Sequence, residues 1–200
     1  MAYRDFKTID LQEKFGIVNA QTKLFPDIKH IEPSSLLVQI LERNRQSTSL
    51  RTEKAVSEAL IAPILMEVLE HNQKKVTLFS GENLVADKSL GLNGELDFLF
   101  LKAPYALDIA APIINITEAK LDRALIKAMN QCAAQMIGAQ LFNKTHKYEQ
   151  NIIYGAVTDG YEWRFVRLED KTLTLDKDQY NSANLPQLLG VLQTIIDFYE

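Results

Sequence analysis

The sequence predicts an α/β fold with a mixed central β-sheet flanked by helices, and three observations carry that expectation. Near residue 75 the hydrophobic period changes from helical to strand-like. Strand-like segments then lie on both sides of a long stretch rich in Ala, Met, Leu and Gln, "DRALIKAMNQCAAQMIGAQLFNK", which reads as a helix. Finally, Asp159 and Gly160 join two apolar runs as a hairpin turn. The resulting order is helix, three strands, helix, strands, helix, as in an α/β domain.

Taken along the chain, residues 1–50 read as helical with loops. "PSSLLVQILERNRQ" has a helix-start signal and puts Leu36, Leu37, Ile40 and Leu41 on one face. The next helix is apolar at Val56, Ala59, Leu60, Ile64 and Val68, with Pro63 inside it to kink or break the ladder. "KVTLFSGENLVAD" reads as a strand or a ragged hairpin. "GELDFLFLK" is a strand with Leu96, Phe98 and Phe100 on one face and Glu95, Asp97, Leu99 and Leu101 on the other. "PIINITEAK" is a third strand, after a loop marked by Pro104 and Pro112. "KTLTLDKDQY" adds a short strand, and "NLPQLLGVLQTIIDFYE" closes with an amphipathic helix. We expect one domain over residues 1–200, with a helical extension at 1–50, a core at 51–168 and a strand and helix at 169–200.

Composition narrows the functional classes. A chain of 200 residues with 46% hydrophobic and 24% charged content suits a packed globular domain. Its apolar runs fall short of the ~18 residues of a membrane span, and acids early in the chain argue against a signal peptide, so the expected compartment is cytoplasmic with no membrane partner. The lone Cys132 leaves no intramolecular disulfide and no Cys-built zinc site. Its setting reads as helical core rather than a nucleophile. A net charge of −4 argues against a constitutive, non-specific nucleic-acid binder. A local basic surface beside an acidic site stays compatible with it.

The chemistry-bearing candidates are acids followed two positions later by lysine. Four such pairs occur: Asp5 with Lys7, Asp27 with Lys29, Glu118 with Lys120, and Glu169 with Lys171. The pattern alone therefore says little, and context must decide. Glu118 and Lys120 end an apolar strand, where positions 114, 116, 118 and 120 should share a face. Charges continuing a buried face are costly unless paired or bound to something. An ion pair between these two side chains is the simplest such partner. Asp97 adds a second carboxylate on the preceding strand, and consecutive strands usually pair. Two carboxylates with an ammonium alongside suit a hard divalent cation, because Mg²⁺ is bound through one or two carboxylates, water and substrate phosphate. Metal-assisted hydrolysis of a phosphodiester uses these parts.

With these residues in place, the chain resembles the PD-(D/E)XK nuclease superfamily, the restriction-endonuclease-like fold. The resemblance implies a Mg²⁺-dependent DNA endonuclease, Mn²⁺ substituting, in restriction, defence or DNA repair. Asp97, Glu118 and the Ala119 carbonyl would hold the metal, and Lys120 would position the attacking water. "TEKAVSEALIAPIL" resembles the helix of type I restriction-subunit amino-terminal domains in which a glutamate precedes an apolar Ile-x-Pro-Leu-Leu-like run, here Glu53 or Glu58. Gln131 and Gln135, one turn apart, stand where RecB-like members carry Gln-x-x-x-Tyr, with glutamine in place of tyrosine. "YGAVTDGYEWRF" resembles the Thr-Asn-Gly-x-x-Trp hairpin of the type I domains, with Asp159 for asparagine. Leu96 replaces the usual proline of the first motif. Over its whole length the chain also resembles an uncharacterised cyanobacterial protein family. A homodimer, which lets two sites address two strands, is among the arrangements the superfamily implies.

Weaker signals complete the reading. His30, His71 and His146 lack metal-ligand spacing. Trp163 suits a core-facing strand position better than base stacking, and Arg123, Lys127, Lys144 and Lys147 suit either a phosphate backbone or a solvated helix face. The alternative function is a catalytically inactive nuclease-fold protein that acts as a nucleic-acid-binding or protein-interaction module. Under that reading, binding needs no metal.

Overall fold

The computed structural model describes residues 1–121 and 125–200, and Arg123 lies outside them. Six helices and eight strands are described: α1 (Thr8–Phe15), β1 (Val18–Thr22), α2 (Ser35–Ser47), α3 (Glu53–Val56), α4 (Ala62–His71), β2 (Thr77–Asp87), β3 (Leu92–Leu101), β4 (Ile113–Ala119), α5 (Leu125–Thr145), β5 (Ile152–Thr158), β6 (Glu162–Glu169), β7 (Thr172–Asp176), β8 (Tyr180–Asn181) and α6 (Leu185–Asp197). The strands form one mixed eight-stranded sheet in the order β1-β7-β6-β5-β4-β3-β2, with β8 on β6. Pairs β1–β7 and β4–β5 are parallel, and the other pairs are antiparallel. The α/β class with a mixed sheet flanked by helices is thus present.

Helices cover both faces of the sheet. On one face, Leu37, Leu41, Ile64, Leu65, Leu188 and Leu192 pack onto Phe98, Phe100, Ile114 and Phe165. On the other, Cys132, Met136 and Ala139 of α5 pack onto Leu99, Ile116 and Val157. Small residues let α5 sit close to the sheet. A Cβ at Gly155 would come within 2.5 Å of Met136 Sδ, and one at Gly138 within 2.2 Å of the Tyr3 hydroxyl. Glycine inside a helix costs about 1 kcal/mol of propensity, and at position 138 that cost makes room for the Tyr3 ring.

The regular α-helical ladder is interrupted just before Pro63. A wide π-type turn over Ser57–Ile61 joins α3 to α4, and the chain stays helical from Glu53 to His71. Proline has no N–H for the carbonyl of residue 59. Asn44 Nδ2 supplies that donor instead, at 2.9 Å from the Ala59 oxygen.

Several expectations are corrected. The region 1–50 is not only helical, because Val18–Thr22 enters the sheet as β1 beside β7. Of the two readings of residues 75–87, strand or ragged hairpin, the strand is the one present, as "TLFSGENLVAD". Leu36 is 61% exposed and so is off the buried face of α2. On β4, Ile116 packs on the α5 side while Ile114 packs on the opposite side. A register shift between Phe100 and Leu101 breaks the alternation there. Leu96 likewise packs with Leu99 and Leu101 rather than with Phe98 and Phe100. The β2–β3 ladder skips one position just beyond it, where Gly81 (φ 70°) stands across from Asp97. Among the described residues, no helix is long and apolar enough to cross a membrane.

Candidate functional site

The candidate site forms where β3 and β4 stop pairing through their backbones. Their ladder ends at Phe98 and Thr117. One step further, Asp97 stands across from Glu118, and a side chain takes over the bonding: Asp97 Oδ2 accepts from the Ala119 N–H at 2.7 Å. A strand residue points its N–H and C=O to the same side, so the Ala119 carbonyl is also directed toward Asp97. The neighbouring Lys120 N–H goes the other way and donates to the Thr158 oxygen of β5 at 2.8 Å.

Glu118 is 1% exposed and reaches under α5. Its Oε2 accepts from Gln135 Nε2 at 2.8 Å, and its Oε1 lies 3.1 Å from Lys120 Nζ. The same ammonium lies 3.2 Å from Glu53 Oε2. Lys120 therefore bridges a buried acid of the sheet and a half-exposed acid of α3. Glu53 is placed by the first turn of α3, whose N-cap Thr52 accepts from the Ala55 N–H at 3.1 Å.

Charge is costly in this setting. Burial pushes the Glu118 carboxyl up to about 7, the nearby charge of Asp97 adds to the rise, and Lys120 and Gln135 oppose it. Burial also raises Asp97, against the Ala119 N–H and Lys120, with the charges of Glu53 and Glu95 adding to the rise. For Lys120, burial disfavours the ammonium, but Glu118 and Glu53 outweigh it and hold the pKa above its ordinary value. The resting site thus pairs two strained carboxylates with a fixed cation.

These side chains line a cleft of about 710 Å³ shared with Arg4, Glu95, Lys127 and Gln131. Gln131 lines the cleft, whereas Gln135 lies beneath it on Glu118 with its own Oε1 buried and without a hydrogen bond. Of the two candidate glutamates, Glu53 is at the cleft. Glu58 turns away, exposed and 3.8 Å from Lys54, because it sits in the wide turn beyond α3.

Three lining residues carried no site signal in the sequence. Arg4 and Tyr3 are about ninety positions from Asp97, and only the fold brings them to it. Gly138 was the available hint, since glycine within an apolar helix marks the close approach of something large. Glu95 precedes Asp97 by two positions, and its carbonyl lies 3.5 Å from Gln135 Nε2.

The other candidates fall outside the site. Trp163 is fully buried, which leaves no face for a base. Cys132 is fully buried and its thiol is pushed up by burial, so it is not a nucleophile. His30, His71 and His146 are exposed. Lys144 and Lys147 lie at the far end of α5.

Among the described residues, no group of three or more His, Cys, Asp or Glu side chains converges as a metal site. Any cation here would draw on two carboxylates and the Ala119 carbonyl. That donor set consists of hard oxygen and is short of a full shell, as Mg²⁺ accepts when water and phosphate complete it. The raised carboxyls fit as well, since a bound cation would relieve the same electrostatic strain. No family model matches the chain, and no curated protein matches it.

Proposed function

We propose that the protein is a Mg²⁺-dependent nuclease of the PD-(D/E)XK type that hydrolyses phosphodiester bonds in DNA. The observation carrying this reading is the convergence of Asp97, Glu118 and Lys120 at one strand end, open to a cleft. Asp97, Glu118 and the Ala119 carbonyl would hold the cation, with Mn²⁺ substituting. When bound, the cation would polarise the scissile phosphate and lower the pKa of a bound water.

The chain's own residues do the remaining work. Gln135 holds Glu118 by one oxygen and so fixes the carboxylate plane, as outer-shell partners of metal ligands do. Lys120 keeps its proton in the resting site, which makes its contribution electrostatic: an ammonium beside the nucleophile and the charged phosphate. Glu53 tethers that ammonium from the α3 side and limits where it can swing. Arg4 and Lys127, at the cleft wall, offer cations for flanking phosphates.

The test is cleavage of single-stranded, linear and supercoiled DNA with Mg²⁺ or Mn²⁺, with Glu118→Ala and Lys120→Ala as controls. The expected result is metal-dependent cleavage that both substitutions abolish. Cleavage surviving both substitutions overturns the site. DNA binding without cleavage, unaffected by chelation and by Asp97→Ala, favours the inactive binding module instead.

A further inference from the structure

The β5–β6 hairpin buries Trp163 but carries an exposed ring two positions earlier. Tyr161 is 42% exposed. The Arg45 guanidinium lies over one side of that ring, 5.8 Å from its centroid, and donates to Ser182 Oγ at 3.1 Å. The backbone under the ring is pinned as well. Tyr161 N–H donates to Asp159 Oδ1 at 2.9 Å, and the Tyr161 oxygen accepts from Ser182 N–H at 2.8 Å. A ring ordered before its ligand arrives loses less entropy when something stacks on it.

The turn that carries Tyr161 adjoins the cleft. Thr158, where the turn leaves β5, accepts the Lys120 N–H through its carbonyl, and three residues of chain reach at most about 10 Å. On its other side the turn presses on α3: a Cβ at Gly160 would come within 2.8 Å of Val56 Cγ1. Val56 lies one helical turn beyond Glu53, which lines the cleft.

The form of the cleft favours a flexible strand. Its reactive groups lie low, with Glu118 1% exposed and the Lys120 side chain 22% exposed. The turn over Tyr3–Asp5 walls one side. Asp5 Oδ2 holds that turn by accepting from the Ala2 N–H at 2.8 Å, and the Tyr3 ring sits in the room left by Gly94 and Gly138. A single strand can bend past such a wall to present a phosphate, whereas a duplex, with a persistence length of about 50 nm, resists the same local bend.

Charge points the same way. The lining cations are Arg4, Lys120 and Lys127, and the exposed Arg51 stands two positions before Glu53. Against them stand Glu53, Glu95, Asp97 and Glu118. Duplex binding commonly draws on about 6–10 phosphate contacts, more than this surface supplies. Single-strand binding adds base stacking to fewer phosphate contacts, and one stacked base strengthens it by about tenfold.

We propose that the cleft takes single-stranded DNA, or the unpaired end of a duplex, and that Tyr161 stacks a base of the strand leaving it. The proposal rests on the nuclease reading for the place of the scissile phosphate.

The test is fluorescence anisotropy at low salt with a labelled oligonucleotide of about 16 nucleotides, single-stranded or in a duplex, with chelator present so that the DNA stays whole. The single strand should bind about tenfold tighter than the duplex. Its log Kobs should fall against log salt with a slope of about −2 to −3, as three or four cations give. Tyr161→Ala should weaken single-strand binding by about tenfold and leave duplex binding unchanged, while Tyr161→Phe, which keeps the ring, should bind as the wild type does. With Mg²⁺, cuts in a tailed duplex should fall in the unpaired tail. A duplex bound or cut as well as the single strand overturns the proposal, as does single-strand binding indifferent to Tyr161→Ala, or binding of neither form. Metal-dependent cutting of duplex that Glu118→Ala and Lys120→Ala abolish keeps the nuclease and overturns the strand preference. Single-strand binding that needs Tyr161, with no DNA cut, keeps the preference and overturns the nuclease.

Discussion

Among the described residues, two glutamates are almost wholly buried, and their surroundings differ. Glu67 in α4 is 5% exposed and spends both oxygens on one residue: Ser34 N–H donates to Oε1 at 2.6 Å and Ser34 Oγ to Oε2 at 2.8 Å. Ser34 in turn caps α2 by accepting from the Leu37 N–H at 3.1 Å. Glu118 is 1% exposed, and its neighbours are a second carboxylate, a bridging lysine and a glutamine with an unbonded oxygen. The first arrangement is closed, in that every donor and acceptor serves the joint between two helices. The second is open, with two acids where the β3–β4 ladder ends and a cleft above them. Burial of an acid therefore does not mark a site here; the meeting of two acids does.

The sharpest way to break this comparison is activity. Glu118→Gln keeps the shape of the side chain and its bond to Gln135 but removes the charge. Cleavage should fall by about 10²–10³-fold, the usual effect of losing one electrostatic stabiliser. Glu67→Gln should leave the rate within a factor of about two. Single-turnover cleavage of one DNA substrate at saturating Mg²⁺ measures both. Equal losses would mean that the two acids are both structural and would remove the distinction.

Stability should show the reverse. Glu67→Ala strips Ser34 of two charge-assisted bonds and leaves buried donors without acceptors, costing about 2–3 kcal/mol. Urea unfolding at about pH 7 should register that loss as a lower midpoint with an unchanged slope. Glu118→Gln should lose less than this at the same pH, because it also removes a buried negative charge beside Asp97.

How much of this was legible in the sequence follows from the kind of force at work. Elements held by burial were readable as elements: α4, α6, β3, β4 and the β5–β6 hairpin all carry runs of apolar residues. β1 was missed because it is held by backbone bonds to β7 and buries nothing, so its residues carry no hydrophobic alternation. The side of Ile114 was misread because a register shift is a backbone event without a side-chain signature. For the site, the pairing of consecutive strands was enough to bring Asp97 to Glu118. Choosing Glu53 over Glu58 was not, since the choice depends on a π-type turn that exists only in the folded helix.

The open site also predicts a pH dependence of stability. With the Glu118 carboxyl raised from about 4.5 to about 7, the folded protein keeps a proton over a range in which the unfolded chain has released it. That contribution to stability is full below about 4.5 and is lost as the pH rises through about 7. For metal-free protein the loss amounts to roughly 3 kcal/mol at most. Thermal melts between about pH 5 and 8 should fall more steeply for the wild type than for Glu118→Gln. Parallel slopes for wild type and Glu118→Gln would place the carboxyl near its ordinary value.

The smallest effect separates the two glutamates at the start of the α3–α4 helix. Glu53 is half exposed and holds Lys120 at 3.2 Å, whereas Glu58 is more exposed and lies 3.8 Å from Lys54. Neither pair should matter much to stability, since exposed ion pairs contribute about 0–1 kcal/mol. Their difference lies in what the cation does next. Glu53→Gln frees Lys120 on one side, removes one of the two charges that hold its proton, and should lower cleavage by about tenfold, as for the loss of an outer-shell contact. Glu58→Gln should change neither rate nor midpoint. Repeating the Glu53→Gln assay across pH separates positioning from simple structural loss. A Lys120 that gives up its proton more readily moves the alkaline limb of the rate profile to lower pH, whereas a loosened helix lowers the rate equally at every pH.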